Sequence, residues 1–180
     1  MALEIFLVIS IIQLAISFGL LGFFVFSVVA FIIGAPFVPT GGKRLRKMLE
    51  FAGVMPGQKV ADLGSGDGRL VIAFAKAGAE AHGYEINPLL VLYSNILIFK
   101  SGLRGKAHIH LKSFWGEDLS LYNTITVYGI SHIMERLEQK FSTELNPGAR
   151  VVSNSFRLPS WLYSRQEDGV YLYEKGHFNT

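Results

Sequence analysis

The first feature of the chain is a long apolar run near its N-terminus. Residues 5–34 contain no charged side chain, and Gln13 is their only strongly polar one. About 20 apolar residues cross the hydrocarbon core of a bilayer, so the run is long enough to span it with some tilt. The pattern predicts a transmembrane helix within residues 1–34. A buried or interfacial helix is the alternative; a signal peptide would have a basic start and a shorter apolar run.

The charges that flank this run predict its orientation. Lys43, Arg44, Arg46 and Lys47 follow it directly, whereas only Glu4 precedes it. Basic residues stay on the cytoplasmic side of a span, so the rest of the chain is expected to face the cytoplasm, or the matrix in a mitochondrion. The basic cluster could serve only to set this topology, or it could also contact anionic headgroups or an acidic partner.

The next segment, residues 35–58, is predicted to be a linker followed by a short helix. Two prolines and two glycines between residues 35 and 42 favour turns and extended backbone. Residues 43–51 form a basic amphipathic pattern, and Thr40 is placed to cap a helix there.

From residue 59 the apolar pattern switches repeatedly between strand and helix. The predicted strands are 59–63, 80–85, 107–111, 125–130, 149–155 and 169–174, and the predicted helices are 68–77, 88–100 and 131–145. Asn87 and Pro88 suit the cap and the first turn of the second of these helices. Strands that alternate with helices imply a parallel sheet covered on both faces, so residues 59–175 are predicted to form an α/β domain and residues 176–180 a tail.

Three alternate glycines, Gly64, Gly66 and Gly68, follow the first predicted strand. Glycine there allows a tight turn and lets a ligand press against main-chain N–H groups. Glu85 ends the next strand, where a carboxylate can accept hydrogen bonds from the two vicinal hydroxyls of a ribose. The third glycine comes one position earlier than in the dinucleotide-binding motif, and Arg69 stands in that place. The spacing therefore argues against a dinucleotide.

The glycine segment resembles the first motif of class I S-adenosylmethionine-dependent methyltransferases, in which an acidic residue precedes G-x-G-x-G; here Asp62 is that acid. Further segments are similar to membrane-anchored protein-lysine methyltransferases, the family that includes the mitochondrial enzymes for the ATP synthase c-subunit and the adenine nucleotide translocase. These segments are GYEINP at 83–88, PFVPT at 36–40 and FRLPSW at 156–161. The resemblance implies a Rossmann-like three-layer sandwich with S-adenosylmethionine as cofactor. Since the chain is short, the last helix and strand of the seven-stranded sheet are expected to be missing.

The resemblance also implies roles for individual positions. The glycines and Asp62 would line the methionine moiety and the ribose edge, Glu85 would hold the ribose hydroxyls, and residues 113–115 would lie beside adenine. The implied cofactor-binding set is Asp62, Gly64, Ser65, Gly66, Gly68, Glu85, Ile86, Asn87, Ser113, Phe114 and Trp115. Residues 128–130 would lie near the transferred methyl group, although the Asn/Asp-Pro-Pro-Tyr motif of many amino-methylating enzymes does not occur there.

Candidate residues for orienting the methyl acceptor lie at the same strand ends. An attacking lysine must be neutral, so burial or a nearby acceptor has to lower its pKa. Tyr128 and Asn154 are the candidate catalytic residues that could orient it, and packing at the strand ends is the alternative role. Trp115 could equally stack on adenine or pack in the core, and Asp67 could cap a helix or contact cofactor.

Several functions are excluded or disfavoured by composition. The chain has no cysteine, which excludes disulfides, thiol catalysis and cysteine-ligated metals. His108 and His110 share a strand face without an evident third ligand, so no metal site is predicted. The chain shows no interleaved basic and aromatic stripe, so no nucleic-acid substrate is expected.

Three functions remain open. The first is methylation of a protein lysine, in a membrane protein close to the bilayer. The second is methylation of a lipid, a quinone or another small membrane-associated molecule, which the same anchor would also serve. The third is a non-catalytic scaffold with a methyltransferase fold.

Overall fold

The computed structural model describes residues 2–33 and 40–176, with side chains described for residues 4–25 and 40–176. Residues 36–39 of the segment that carries the family resemblance, and residues 177–180 of the predicted tail, lie outside this part of the chain. The chain forms two compact units, of which the first holds one long helix and the second holds the globular domain.

Helix α1 (Ala2–Ile33) confirms the predicted N-terminal helix. Within it, Glu4–Val25 is the one stretch of the described residues that is long and apolar enough to cross a membrane. Its 22 residues measure about 33 Å, against about 30 Å for a hydrocarbon core. Ser10 and Ser17 each donate to the carbonyl four residues earlier at 2.9 Å, so these hydroxyls need no partner outside the helix.

The globular domain is built on a seven-stranded sheet. Its strands are β1 (Lys59–Leu63), β2 (Glu80–Glu85), β3 (Ala107–Leu111), β4 (Thr124–Val127), β5 (Arg150–Asn154), β6 (Arg165–Glu167) and β7 (Val170–Glu174). They lie in the order β3-β2-β1-β4-β5-β7-β6. Strands β1 to β5 pair in parallel, whereas β7 runs antiparallel to β5 and to β6. The predicted α/β architecture is confirmed.

Helices cover both faces of this sheet and create two hydrophobic cores. The helices are α2 (Gly42–Ala52), α3 (Arg69–Lys76), α4 (Pro88–Lys100) and α5 (Ser131–Glu144). Phe51, Phe74 and Ile98, from the first three of these helices, belong to one core. Leu137 and Phe141 of α5 belong to the other. Because alternate residues of a strand point to opposite faces, strands β1, β2, β5 and β7 contribute to both cores, and the domain has three layers.

Local patterns predicted several elements to the residue. The bounds of β1, β2, β3 and α4 agree with the prediction, and Asn87 caps α4 by accepting from the backbone N–H groups of Leu89 (2.9 Å) and Leu90 (3.4 Å). Strand β4 instead ends at Val127, three residues before its predicted end, because the chain turns there to pack against α5. A Cβ atom on Gly129 would lie only 2.7 Å from the sulfur of Met134.

The sheet contains the last strand that was expected to be missing. Strand β6 pairs with β7 across a two-residue turn of Asp168 and Gly169, whose φ angles of 53° and 77° suit a tight hairpin. The Asp-Gly pair is a hairpin signal, but β6 has only exposed polar side chains and shows no apolar alternation. No helix lies between β5 and β6 within the described residues, where residues 155–164 form a loop.

One cap differs from the prediction. Gly41, not Thr40, occupies the N-cap position of α2 and makes no side-chain bond there, while Thr40 is buried. Between β3 and β4, where no helix was predicted, the chain holds two short 3₁₀ turns, Phe114–Gly116 and Leu119–Leu121. The sheet face beside β2 and β3 is therefore covered there by short turns and side chains.

The packing predicts a large difference between two phenylalanines. Phe74 is fully buried, whereas Phe99 is 58% exposed on the outer side of α4. Phe74→Ala should lower the free energy of unfolding by about 3–5 kcal/mol, because it removes buried contacts and leaves a cavity. Phe99→Ala should lower it by less than about 1 kcal/mol. Denaturant unfolding in detergent micelles measures both, and equal losses would contradict the assigned core.

Candidate functional site

The candidate site lies at the carboxyl ends of the parallel strands. The chain order reverses between β1 and β4, which are neighbours in the sheet, and ligands of open α/β sheets bind in the crevice beside such a reversal. The turn from β1 to α3, residues 64–68, is called the glycine loop below. Its three glycines have φ angles of 83°, 56° and 75°, a left-handed conformation that other residues adopt only with strain.

The glycine loop is tied to strand β2 through its backbone. The N–H groups of Gly64 and Ser65 both donate to the carbonyl of Tyr84, at 2.9 and 3.0 Å. These bonds continue the pairing of β1 with β2 past the end of β1. The position of the loop is therefore set by the sheet.

The Glu85 carboxylate joins the glycine loop to the turn before α4. One oxygen accepts from the N–H of Gly66 at 2.9 Å. The other accepts from the N–H groups of Ile86 and Asn87, at 2.8 Å each. Four of the residues in the predicted cofactor-binding set thus meet around one carboxylate that is held in a single orientation.

Serine side chains support the glycine loop from the α4 side of the sheet. Ser94 is fully buried and donates to the carbonyls of Gly66 (3.1 Å) and Leu90 (2.8 Å). A Cβ atom on Gly68 would lie 2.9 Å from the Cβ of Ser94, so only glycine allows this approach. Sequence reasoning missed Ser94, and the signal was a serine within the apolar stretch of α4.

Ser65 shows that the loop is also packed against β2. Its side chain is buried, and a Cβ atom on Gly83 would lie 2.6 Å from it. Its hydroxyl oxygen is the one buried side-chain polar atom without a hydrogen-bond partner among the described residues. Ser65, one of the predicted cofactor-binding residues, therefore directs its side chain toward the sheet.

Asp62, the last polar residue of β1, is a buried acid. It is 5% exposed, and the Thr126 hydroxyl of β4 donates to it at 2.6 Å. Burial raises the pKa of Asp62 to about 7; the Thr126 hydrogen bond opposes the rise, and the charges of Glu85 and Asp67 add to it. A cationic group beside this carboxylate would favour its ionised form.

A second hydrogen-bonded cluster links the glycine loop to the segment before α2. Arg69 forms a bidentate ion pair with Asp67: its Nε and Nη2 atoms donate to the two carboxylate oxygens, at 2.9 and 2.6 Å. Its Nη1 donates to the carbonyl of Thr40 at 2.8 Å. Asp67 and Arg69 are thus partners of each other, and together they attach Thr40 to the loop.

Asn154 reaches the same threonine from the end of β5. The side-chain amide of Asn154 is fully buried, donates to the Thr40 hydroxyl at 3.4 Å and accepts from the Ser155 hydroxyl at 3.1 Å. Arg44 donates to the Ser155 hydroxyl at 2.9 Å. Thr40 therefore connects β5 with the glycine loop, a contact across more than 100 residues that no local pattern could reveal.

The remaining predicted residues lie on two other loops. Ser113 accepts from the N–H of Trp115 at 3.4 Å and caps the first 3₁₀ turn, while Phe114 is buried in the α5-side core. The Arg136 guanidinium of α5 lies 4.0 Å from the Trp115 ring centre. Tyr128 is half-buried beyond the end of β4, with its ring centre 6.4 Å from that of Phe156.

Taken together, this edge of the sheet offers a backbone loop, an oriented carboxylate and a buried acid. Carboxylate oxygens accept from hydroxyls, a turn built on glycines lets a ligand approach the main chain closely, and a buried acid favours a cation. Gly64 is exposed, and a Cβ atom there would meet nothing within 4 Å. The arrangement fits a small nucleoside ligand that carries both neighbouring hydroxyls and positive charge.

Comparison with solved structures places this fold among the methyltransferases. A crystal structure described as an RNA methyltransferase from Salinibacter ruber with S-adenosyl-L-homocysteine is 31% identical, with a TM-score of 0.71, and the match covers 77% of this chain and 92% of that one. A methyltransferase from Thiobacillus denitrificans with the same ligand has a TM-score of 0.55 at 18% identity, covering 68% and 53% of the two chains, which shows the fold alone.

Comparison of sequences identifies the family. A protein-lysine N-methyltransferase of Saccharolobus islandicus is 38% identical over 78% of this chain and 94% of its own length. The human lysine N-methyltransferase for the ATP synthase c-subunit is 39% identical over 79% of this chain, which spans 63% of that relative. The chain spans about half to two-thirds of the vertebrate relatives of this name. The family model described as the ANTKMT methyltransferase domain matches residues 62–165, and the chain belongs to this family.

Proposed function

We propose that this protein transfers a methyl group from S-adenosylmethionine to a lysine side chain of a protein substrate near a membrane. The observation that carries the proposal is the Glu85 carboxylate, which three backbone N–H groups orient beside the glycine loop. The names of the relatives support protein lysine as the acceptor.

The residues present fit S-adenosylmethionine. A carboxylate offers about four lone-pair sites, so Glu85 retains acceptor capacity for a ribose hydroxyl beside its three backbone donors. Asp62 would face the cationic methionine end, and Gly64, Gly66 and Gly68 would let the ligand approach the backbone. We assign Ser65 to the cofactor site as part of the loop main chain that the cofactor approaches, because its side chain faces the sheet, and we assign Ile86 and Asn87 to the site through the N–H groups that position Glu85.

The adenine side of the site is proposed on the loop after β3. Ser113 holds the 3₁₀ turn, and Phe114 anchors it in the core. Trp115, the middle residue of that turn, then supplies an aromatic edge, and Arg136 packs against its ring. A purine ring would be held there by stacking and apolar contact.

Methyl transfer makes modest chemical demands on the chain itself. The bound cofactor supplies a methyl group on a sulfonium centre, so the protein has to bind, orient and exclude water. We assign Tyr128, half-buried at the end of β4, to orienting the lysine amine. Asn154 is fully buried and both ends of its amide are engaged, so we propose that it acts indirectly, by holding Thr40 and Ser155.

Two surfaces support a location at a bilayer. Helix α1 contains the candidate span. Helix α4 exposes apolar side chains at Leu89, Leu92, Tyr93, Ile96 and Phe99, a spacing that follows one side of a helix. An exposed apolar stripe of this kind is typical of interaction with a membrane or another apolar partner.

The basic cluster after the span is partly engaged within the domain. Lys43 pairs with Asp168 at 2.9 Å, and Lys47 pairs with Glu50 at 2.7 Å and Glu167 at 2.9 Å. These contacts attach α2 to the β6–β7 hairpin. We therefore propose that the cluster sets the topology, with the catalytic domain on the cytoplasmic side, or the matrix side in a mitochondrion.

Methylation of a small membrane molecule is the second candidate, favoured by the same span and apolar stripe. The RNA methyltransferase description of the Salinibacter structure adds a third acceptor class to test. A non-catalytic scaffold is disfavoured because Glu85 and the glycine loop retain a geometry suited to a nucleoside.

Glu85→Gln should reduce methyl transfer. In native membranes with radiolabelled S-adenosylmethionine, we expect roughly a 10- to 100-fold loss at low cofactor, chiefly as a raised KM, because hydrogen bonds to a charged group contribute about 1.5–3 kcal/mol. Glu135→Gln, which changes an exposed glutamate of α5, is the matched control and should retain activity.

The fraction that carries the label identifies the acceptor. Methyl-lysine in hydrolysed protein supports the proposal, whereas label in the lipid extract or in RNA would replace it with another substrate class. Absence of label in every fraction, together with no binding of S-adenosylmethionine, would overturn the enzymatic assignment.

Asp62→Asn should change how stability depends on pH. The folded pKa of Asp62 is raised to about 7, above an unfolded value of about 3.9, so the folded state holds an extra proton between these values. The stability contributed by Asp62 therefore falls as pH rises from about 4 to about 7 and is level above that. The Tm of Asp62→Asn minus the Tm of the parent should therefore increase between pH 5 and pH 8, because only the parent loses the stability contributed by Asp62.

The control for this experiment is Asp118→Asn. Asp118 has a lowered pKa because the Ser120 side chain and backbone bond to its carboxylate, so it is ionised in both states from pH 5 upward. Its Tm difference should stay flat over this range. A flat difference for Asp62→Asn as well would contradict the raised pKa.

Helix α1 should hold the protein in the bilayer. The parent should stay in the membrane pellet after alkaline carbonate extraction. Leu14→Arg with Phe18→Arg should move it to the supernatant, because a charge at the centre of a span costs about 2.5–3.5 kcal/mol. The control, Leu14→Phe with Phe18→Leu, should stay in the pellet. Release of the parent itself would rule out a spanning helix.

A further inference from the structure

A group of histidines covers the end of the sheet formed by β2 and β3. His82 lies on β2, and His108 and His110 lie on β3, all on the same side of the sheet as Tyr84. Because the connection from β3 to β4 holds only short 3₁₀ turns, the histidines on this part of the sheet remain half-buried.

Strand register brings a third ligand-bearing residue to these histidines. His82 and His108 are direct partners across the parallel pair of strands, and their ring centres are 5.0 Å apart. Glu80 is two residues before His82 on the same side, with its carboxylate 3.1 Å from the His82 Nε2 atom. One ligand atom from each of Glu80, His82 and His108 lies within 4.8 Å of the other two.

We propose that Glu80, His82 and His108 form a binding site for one divalent transition-metal ion of the Zn²⁺ class. Two imidazole nitrogens and one carboxylate oxygen are a ligand set for such ions, whereas Mg²⁺ and Ca²⁺ prefer oxygen alone. Ligand atoms at 2.0–2.1 Å from tetrahedral Zn²⁺ lie roughly 3.3 Å apart. The three side chains are half-buried, so rotation about their side-chain bonds would bring the ligand atoms together, and solvent would supply a fourth ligand.

His110 orients the central ligand. Its Nε2 atom lies 3.0 Å from the Nδ1 atom of His82, so one nitrogen of His82 faces His110 while the other faces Glu80. In metal sites, the second nitrogen of a ligating histidine is commonly held by a hydrogen bond that fixes the ring. His110 is itself stacked on Tyr84, with ring centres 5.0 Å apart.

One existing contact would have to give way to the ion. Lys59 lies 3.4 Å from the same Glu80 oxygen, and both side chains are exposed to a similar degree. An exposed ion pair of this kind contributes only about 0–1 kcal/mol. The lysine can therefore leave the carboxylate at small cost.

The site is separate from the proposed cofactor site. Glu80 is the first residue of β2 and Glu85 is the last, so the two lie roughly 16 Å apart along the strand. The ion would join β2 to the edge strand β3 and stabilise the sheet, with no part in methyl transfer. Its binding can be measured without any assay of activity, and it does not depend on the proposed function.

Titration of the full chain with Co²⁺ in detergent, after treatment with a chelator, tests the site. We expect one equivalent to produce the strong visible absorption of four-coordinate Co²⁺, and Zn²⁺ to displace it. Zn²⁺ should also raise the Tm, since an ion that binds only the folded state stabilises it. His108→Gln and Glu80→Gln should each weaken Co²⁺ binding at least tenfold.

His132→Gln and Glu135→Gln remove the same residue types from α5 and should bind Co²⁺ like the parent. Absence of a saturable one-to-one absorption change in the parent would overturn the proposal, whatever the variants do. Equal affinity in the parent and in Glu80→Gln or His108→Gln would also overturn it, because the ion would then bind elsewhere. Thermal melts without metal confirm that each variant is folded before its affinity is compared.

Discussion

The parallel pairing of β1 with β2 is the constraint on which the site depends. It brings the ends of both strands to one edge of the sheet, so the glycine loop that follows β1 meets Glu85 at the end of β2. The hydrogen bond between the Gly66 N–H and the Glu85 carboxylate joins the two turns. Without this register the loop and the acid would be unrelated features of the sequence.

Two glycines let serine side chains pack closely at the glycine loop. Gly83 leaves room for Ser65, and Gly68 leaves room for Ser94, each at a distance that an added Cβ atom would not allow. The glycines therefore serve two purposes. Some give the loop its left-handed turns, and others let the sheet and α4 pack beneath it, which holds the loop ready for a ligand.

The local elements could be predicted from sequence because their signals are local. Apolar alternation marked β1 to β3, and Asn87 with Pro88 marked the start of α4. Strand β6 was missed because its three residues are exposed and polar, so that only the Asp-Gly turn signalled the hairpin. Seven strands, and not six, complete the sheet.

Long-range contacts could not be predicted from local sequence patterns. Thr40 joins Asn154 to Arg69, Ser94 supports Gly66, and Glu80 lies beside two histidines, yet each of these arrangements depends on how distant elements pack in the fold. Glu85 and the glycine loop were predictable because motif and strand ends coincide. The cofactor roles of Glu85, the glycine loop and Ser113, and the role of Tyr128 in orienting the acceptor lysine, stay predictions, because the described contacts involve only protein groups.

A structure of the chain with S-adenosyl-L-homocysteine would show whether Glu85 holds the ribose of the cofactor. We expect ribose hydroxyls within hydrogen-bond distance of the Glu85 carboxylate, with the amino-acid end of the ligand beside Asp62 and the glycine loop. A ligand bound elsewhere, or one whose ribose leaves Glu85 without a contact, would overturn the proposed cofactor site.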